Sequence, residues 1–196
     1  MSPIVFLDVD GVLIAYPEGE HAPPQFTPRC VDAFRAILAA LPRVRVVLSS
    51  TWRLPRHVNQ LHAQWLEHGF PESLAWDGTP DTRWNPDVSH LHRRGLEIKA
   101  WLEAHPNVLR WVVLDDERMA IEPILGSYRC VFTNPARGLT VEDAERAVEI
   151  LMKSPAQREP DGARDSSRLS DGGLTLLPGF FGQCPLEELK RGCRPL

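Results

Sequence analysis

The sequence predicts an α/β fold with a parallel sheet, on three observations. Short apolar runs that read as strands alternate with stretches of helical period. The residues able to do chemistry fall just after those runs, where the loops of an open parallel sheet converge. The length of 196 residues suits one sizeable hydrophobic core rather than two. Strand–helix alternation implies right-handed crossovers between neighbouring strands.

The first strand covers residues 3–8, within IVFLDVDGVL. Thr27-Pro28 then reads as an N-cap followed by proline at the first helical position. Val31, Phe34, Ile37, Leu38 and Leu41 follow at spacings of three and four, the stripe of an amphipathic helix. The second strand is VRVVLS, residues 44–49, with a helix over about 57–67 behind it. A weaker third strand is expected at 73–76. A proline-containing loop leads to a helix over about 94–104, with Ile98, Trp101 and Leu102 on one face. WVVLD at 111–115 and YRCVFT at 128–133 are the fourth and fifth strands. The last helix opens at Thr140-Val-Glu-Asp143, a start resembling a capping box, and runs to about 152.

Composition narrows the classes. Hydrophobic content of 43% and charged content of 24% are those of an ordinary soluble globular chain. The net charge of −4 supplies no bulk attraction to nucleic acid or anionic membrane. No apolar run reaches the roughly 20 residues of a spanning helix, and MSPIVFLDVD lacks a basic start and a cleavage site, so a cytoplasmic protein with no membrane partner is expected. Cys30, Cys130, Cys184 and Cys193 form no CxxC pair and read as reduced thiols, with a Cys184–Cys193 bridge left open. The domain expected at 1–153 is followed by a linker at 154–173, where apolar residues are sparse and disorder is expected. The apolar segment 174–196 either docks back on the core or serves a protein partner.

Asp8 and Asp10 end the first strand, Ser49-Ser50-Thr51 the second, and Asp115-Asp116 the fourth. The helix before the fourth strand must begin at the same edge, which brings Arg93 and Arg94 there. Alone, an Asp-x-Asp is usually turn chemistry, and an Asp-Asp after a strand often caps the next helix. Four carboxylates gathered at one edge repel each other unless a cation holds them, and carboxylates with positions left for water and phosphate suit Mg²⁺.

These residues resemble the haloacid dehalogenase-like (HAD) superfamily. DVDGV at 8–12 is similar to its Asp-x-Asp first motif, LSS at 48–50 to its second, and LDD at 114–116 to its acidic fourth. The resemblance spans about residues 3–152 and is closest to the small HAD domains of RNA-repair proteins. It implies a three-layer Rossmann-like sandwich with strand order 5-4-1-2-3 and a minimal cap or none. It further implies a Mg²⁺-dependent phosphatase in which Asp8 attacks phosphorus to form a phospho-aspartate. Asp10 is then the acid and base for the leaving group and for water. The resemblance likewise implies Mg²⁺ bound by Asp8, the backbone carbonyl of Asp10 and Asp115, with Asp116 as a ligand or a water-holder. Within this resemblance, dehalogenases and ion-pumping ATPases lack an acid at position 10, so Asp10 favours phosphatase or phosphotransferase chemistry. Ser49 is expected to bind a phosphoryl oxygen, the alternative being that it only caps the next helix. The basic third motif falls to Arg94, with Lys99 the alternative and Arg93 also competing.

Substrate contacts are expected from Gly11, Ser50, Thr51, Trp52 and Arg53. Only 38 residues separate Asp10 from Ser49, too few for a large helical cap beside a helix and a flap over 14–26. An open site of that kind admits a small phosphomonoester or a phosphorylated nucleic-acid end. Trp52, Arg53, Trp76 and Trp84 fit base stacking and phosphate contact, or else core and loop anchoring. A HAD-like scaffold that only binds a partner through its tail is the non-enzymatic alternative. His57, His62, His90 and His92 have no ligand spacing and read as surface or packing residues.

Overall fold

The structure is a computed structural model and describes residues 2–17, 24–71 and 76–153. Met1–Lys153 forms one compact unit, and Ser154–Leu196 falls to a second. The second unit, which includes the expected linker and apolar tail and both Cys184 and Cys193, lies outside the described residues.

Five parallel strands form one sheet: β1 (Ile4–Leu7), β2 (Arg45–Leu48), β3 (Trp76–Gly78), β4 (Trp111–Asp115) and β5 (Cys130–Phe132). Their order is β3-β2-β1-β4-β5, the expected order read from the other edge. The helices are α1 (Pro28–Ala40), α2 (Pro55–Glu67), α3 (Arg93–Ala104), α4 (Arg118–Leu125) and α5 (Val141–Met152).

The central strands are apolar at nearly every position because each of their faces meets a helical layer. Side chains alternate across a strand, so neighbours go to opposite cores. Val5, Leu7, Val46, Leu48, Val112 and Leu114 join α1, α2 and α5 through Phe34, Ile37, Leu61, Trp65 and Ala147. Ile4, Phe6, Val47 and Val113 join α3 and α4 through Ile98, Trp101 and Ile121. Placing α1 and α2 on one face and α3 and α4 on the other gives the three-layer arrangement. It reverses the direction of winding after β3, so the first strand lies at the centre. Among the described residues no helix is long and apolar enough to cross a membrane.

Several local expectations are corrected. The third strand starts at Trp76, where the expected one ended, and residues 72–75 lie outside the described ones. The fifth is confined to three residues. Thr27 occupies the N-cap position of α1 but makes no side-chain cap. Its hydroxyl accepts the Ala15 N–H at 3.0 Å and so ties the flap to the helix. Thr140 and Asp143 do form a reciprocal capping box on α5. Helix α4 was not expected between β4 and β5; it carries Pro123 internally and ends at Gly126, whose φ is +72°.

Close approach of α3 to α4 depends on Gly95. A Cβ there would stand 2.8 Å from the Ala120 carbonyl oxygen and 3.0 Å from the Ile124 Cβ. Backbone cannot yield as a flexible side chain does, so Gly95→Val is expected to destabilise the protein by about 1–3 kcal/mol. Denaturant unfolding of the two proteins measures that difference.

Candidate active site

The register of the sheet delivers the site. Leu7 pairs with Leu48 on one side and Leu114 on the other, so Asp8, Ser49 and Asp115 emerge level with one another. Backbone bonds hold that level. Asp8 N–H donates to the Leu114 carbonyl and Ser49 N–H to the Leu7 carbonyl, both at 3.0 Å.

Past Asp8 the chain turns at once. The Val9 carbonyl accepts the N–H groups of Val12, Leu13 and Ile14, and Gly11 sits at φ +69°. A Cβ on Gly11 would lie 2.4 Å from Asp116 Oδ2. Glycine is therefore required twice, by the left-handed backbone and by the carboxylate that occupies the space. Thr133 at the end of β5 braces the turn, its hydroxyl donating to the Gly11 carbonyl at 2.7 Å.

Asp8, Asp115 and Asp116 each offer an oxygen within 4.8 Å of the others, the only such group of three acids among the described residues. Asp8 and Asp115 are buried. Arg94, at the start of α3, bridges them: Nη1 lies 2.5 Å from Asp8 Oδ2 and 2.9 Å from Asp115 Oδ2. The remaining Asp115 oxygen accepts the Glu117 N–H at 2.9 Å. Asp8 Oδ1 is buried without a hydrogen-bond partner, and so is the Ser49 hydroxyl.

Electrostatics follow from that crowding. Burial raises the pKa of Asp8 above the ordinary carboxylate value, against the opposing pull of Arg94. Burial and then the charge of Asp8 push Asp115 up to about 8, and the same two causes push Asp116 up to about 6. Burial works against the charge of Arg94, but Asp115, Asp8 and Glu117 outweigh it and hold the guanidinium firmly protonated. One cation does not neutralise three acids. Hard carboxylate oxygens from three clustered acids fit a divalent ion such as Mg²⁺.

Of the three basic candidates, Arg94 is the one in contact with the acids. Lys99 is exposed and faces Glu103 at 3.8 Å, and Arg93 turns to His90. The helix phase decides this, since residues 94, 98 and 101 share the face toward the sheet while 93 and 99 do not. Ser50, not Ser49, caps the following turn. Its hydroxyl accepts the Trp52 N–H at 3.3 Å and starts the single 3-10 turn of Thr51–Arg53, where Thr51 is half-buried. The Ser49 hydroxyl takes no part in that cap.

Two expected substrate contacts are corrected. Arg53 is buried, and its guanidinium donates to the carbonyls of Ser49, Ser50, Thr79 and Pro80 and to Glu97 at 2.8 Å. With those bonds made it holds the turn after β2 to the loop after β3, and it is not presented to a ligand. Trp52 is 4% exposed, so its ring is no stacking platform. Its indole N–H instead donates to Asp10 Oδ2 at 2.9 Å. Trp84 is exposed, at 87%, with Arg83 5.9 Å over its ring. Among the histidines, His57 lies 5.7 Å from the Trp52 ring and His92 bonds the Met119 carbonyl.

Sequence reasoning missed Glu97 and Tyr16. Glu97 is buried and also accepts from the N–H and hydroxyl of Thr82. Its one signal was an acid beside Ile98 on the face that also carries Trp101. Tyr16 donates its hydroxyl to Asp10 Oδ1.

An Asp-x-Asp closing the central strand of a parallel sheet, a free serine after the next strand, an arginine and two further acids at the same edge define a HAD-like domain. The family model for the HAD domain in Swiss Army Knife RNA repair proteins matches residues 4–144, and the chain belongs to that family. No curated protein matches the chain. Membership supports HAD-type hydrolase or phosphatase chemistry in general.

Proposed function

We propose that this protein is a Mg²⁺-dependent phosphatase acting on phosphomonoesters through phospho-Asp8. The observation that carries the proposal is Asp8 itself: one oxygen is held by Arg94, and the other is buried, unpaired and level with the free Ser49 hydroxyl. A carboxylate fixed at one oxygen and free at the other is positioned to attack phosphorus. Ser49 then donates to a phosphoryl oxygen, and Arg94 balances charge on Asp8. Asp10 gives a proton to the leaving oxygen and later takes one from the water that releases phosphate. Asp8, Asp115, Asp116 and the Asp10 carbonyl would hold Mg²⁺, which when bound supplies positive charge to the phosphoryl oxygens.

Hydrolysis of an aryl phosphate with Mg²⁺ and with chelator tests the assignment. Metal-dependent turnover is expected. Absence of turnover together with absence of Mg²⁺-dependent capture of a phosphate-mimicking fluoride complex would contradict it.

A second readout needs no substrate. Acids whose folded-state pKa is raised bind protons that the unfolded chain has already released, so metal-free stability falls as pH rises from about 3.8 toward about 8. A divalent cation relieves the same repulsion and competes with those protons. The rise in melting temperature on adding Mg²⁺ is therefore expected to be larger at pH 8 than at pH 6, as thermal unfolding at the two pH values will report.

A narrower reading, a phosphatase of nucleic-acid ends, is supported by the family's description in RNA repair proteins and by exposed Trp84 beside Arg83. On that reading, 3′- or 5′-phosphorylated oligonucleotides outcompete aryl phosphate, and their binding weakens steeply with salt.

A further inference from the structure

The Asp10 side chain is held at both oxygens by residues that have no part in the reading above. Trp52 donates from its indole nitrogen to Oδ2 at 2.9 Å, and Tyr16 donates from its hydroxyl to Oδ1. Each donor is itself fixed. Trp52 is buried within the turn that Ser50 caps, and Leu54 N–H closes that turn on the Thr51 carbonyl at 3.1 Å. Tyr16 N–H donates to the Pro135 carbonyl at 2.8 Å, and Asp10 and Ile14 form a backbone bridge just before it. So the turn after β1, the turn after β2 and the loop after β5 converge on one carboxylate.

The two donors differ in kind. An indole N–H can only donate, whereas a tyrosine hydroxyl can donate or accept. Oδ2 is thus anchored, and Oδ1 is the oxygen that can carry or release a proton without losing its partner. Tyr16 is also 44% exposed although its hydroxyl reaches the acid, so the residue borders solvent beside Asp10.

We propose that Tyr16 and Trp52 are positioning residues that aim the Asp10 carboxyl at the leaving-group oxygen. The inference rests on the phosphatase reading. In the step concerned, an Asp8 oxygen bonds to phosphorus, the bond from phosphorus to the leaving oxygen breaks, and the Asp10 proton passes to that oxygen. Without the clamp the carboxyl is free to rotate, so the loss should grow with the basicity of the leaving group. A residue that merely supports the fold would lower turnover of every substrate alike.

The test compares kcat/KM of the full chain, Tyr16→Phe, Trp52→Phe and Asp10→Asn on 4-nitrophenyl phosphate and on phenyl phosphate with saturating Mg²⁺. Tyr16→Phe is expected to lose about tenfold on phenyl phosphate and markedly less on the nitrophenyl ester, in the same sense as Asp10→Asn. Adding Tyr16→Phe to Asp10→Asn is expected to cost nothing further. Equal losses on both esters, or a loss in the double variant equal to the product of the single ones, would overturn the inference and leave the phosphatase reading standing. No turnover of either ester by the unaltered chain would overturn the inference, and absence of Mg²⁺-dependent capture of the fluoride complex as well would overturn the phosphatase reading with it. Half-exposed Tyr16 carries the test if Trp52→Phe fails to fold.

Discussion

Asp8→Asn is expected to abolish phosphomonoester turnover, by at least about a thousandfold, while the protein remains folded. The asparagine has nearly the same shape, so the room beside Ser49 is unchanged. Its amide is a far weaker nucleophile, and it removes one negative charge from a crowded trio. Arg94 keeps Asp115 at 2.9 Å as a partner, and of the two causes that raise Asp115, burial stays while the repulsion from Asp8 goes. Steady-state turnover beside thermal unfolding in chelator separates lost chemistry from lost structure. Retained turnover would mean that another group attacks phosphorus.

Arg94→Met should have the largest effect on stability. The guanidinium bridges two carboxylates that are 2% and 0% exposed in their side chains, and nothing else positive touches them in the described structure. Removing one partner of a buried ion pair costs about 3–5 kcal/mol, because the charge left behind has neither water nor counterion. Here the abandoned acids can protonate or take up Mg²⁺. The variant should therefore be least stable at pH 8 in chelator, recover as the pH falls, and gain more from Mg²⁺ than the unaltered protein does. Arg94→Lys should not restore it fully, since one ammonium does not reproduce the planar bridge. Urea unfolding at two pH values with and without the ion measures all three differences.

The edge of the sheet was legible because it is written locally. An apolar run sets the strand, its end sets the level, and the acids or hydroxyls that follow can lie nowhere else. Helix α3 was legible for the same reason, and its periodicity brought Arg94 to the right place. What stayed hidden was decided at a distance. Trp52 and Arg53 look like ligand residues in sequence, next to Ser49 and Ser50. Their partners, Asp10, Thr79, Pro80 and Glu97, lie 26 to 44 residues away, and only the folded chain shows those bonds already made. Tyr16 is six residues from Asp10, yet the turn through Gly11 is what folds it back. Helix α4 escaped notice because it is eight residues long with Pro123 inside, a pattern whose local propensity opposes a helix that packing against α3 sustains.

The central claim is that phosphorus becomes bonded to Asp8. Acid quenching of a reaction with excess substrate, followed by borohydride reduction and peptide mass spectrometry, tests it most directly, since borohydride converts an aspartyl phosphate to homoserine. Homoserine at position 8 that requires Mg²⁺ and substrate is the expected result. Reduction at another carboxylate, or none at Asp8 while turnover proceeds, would contradict the account.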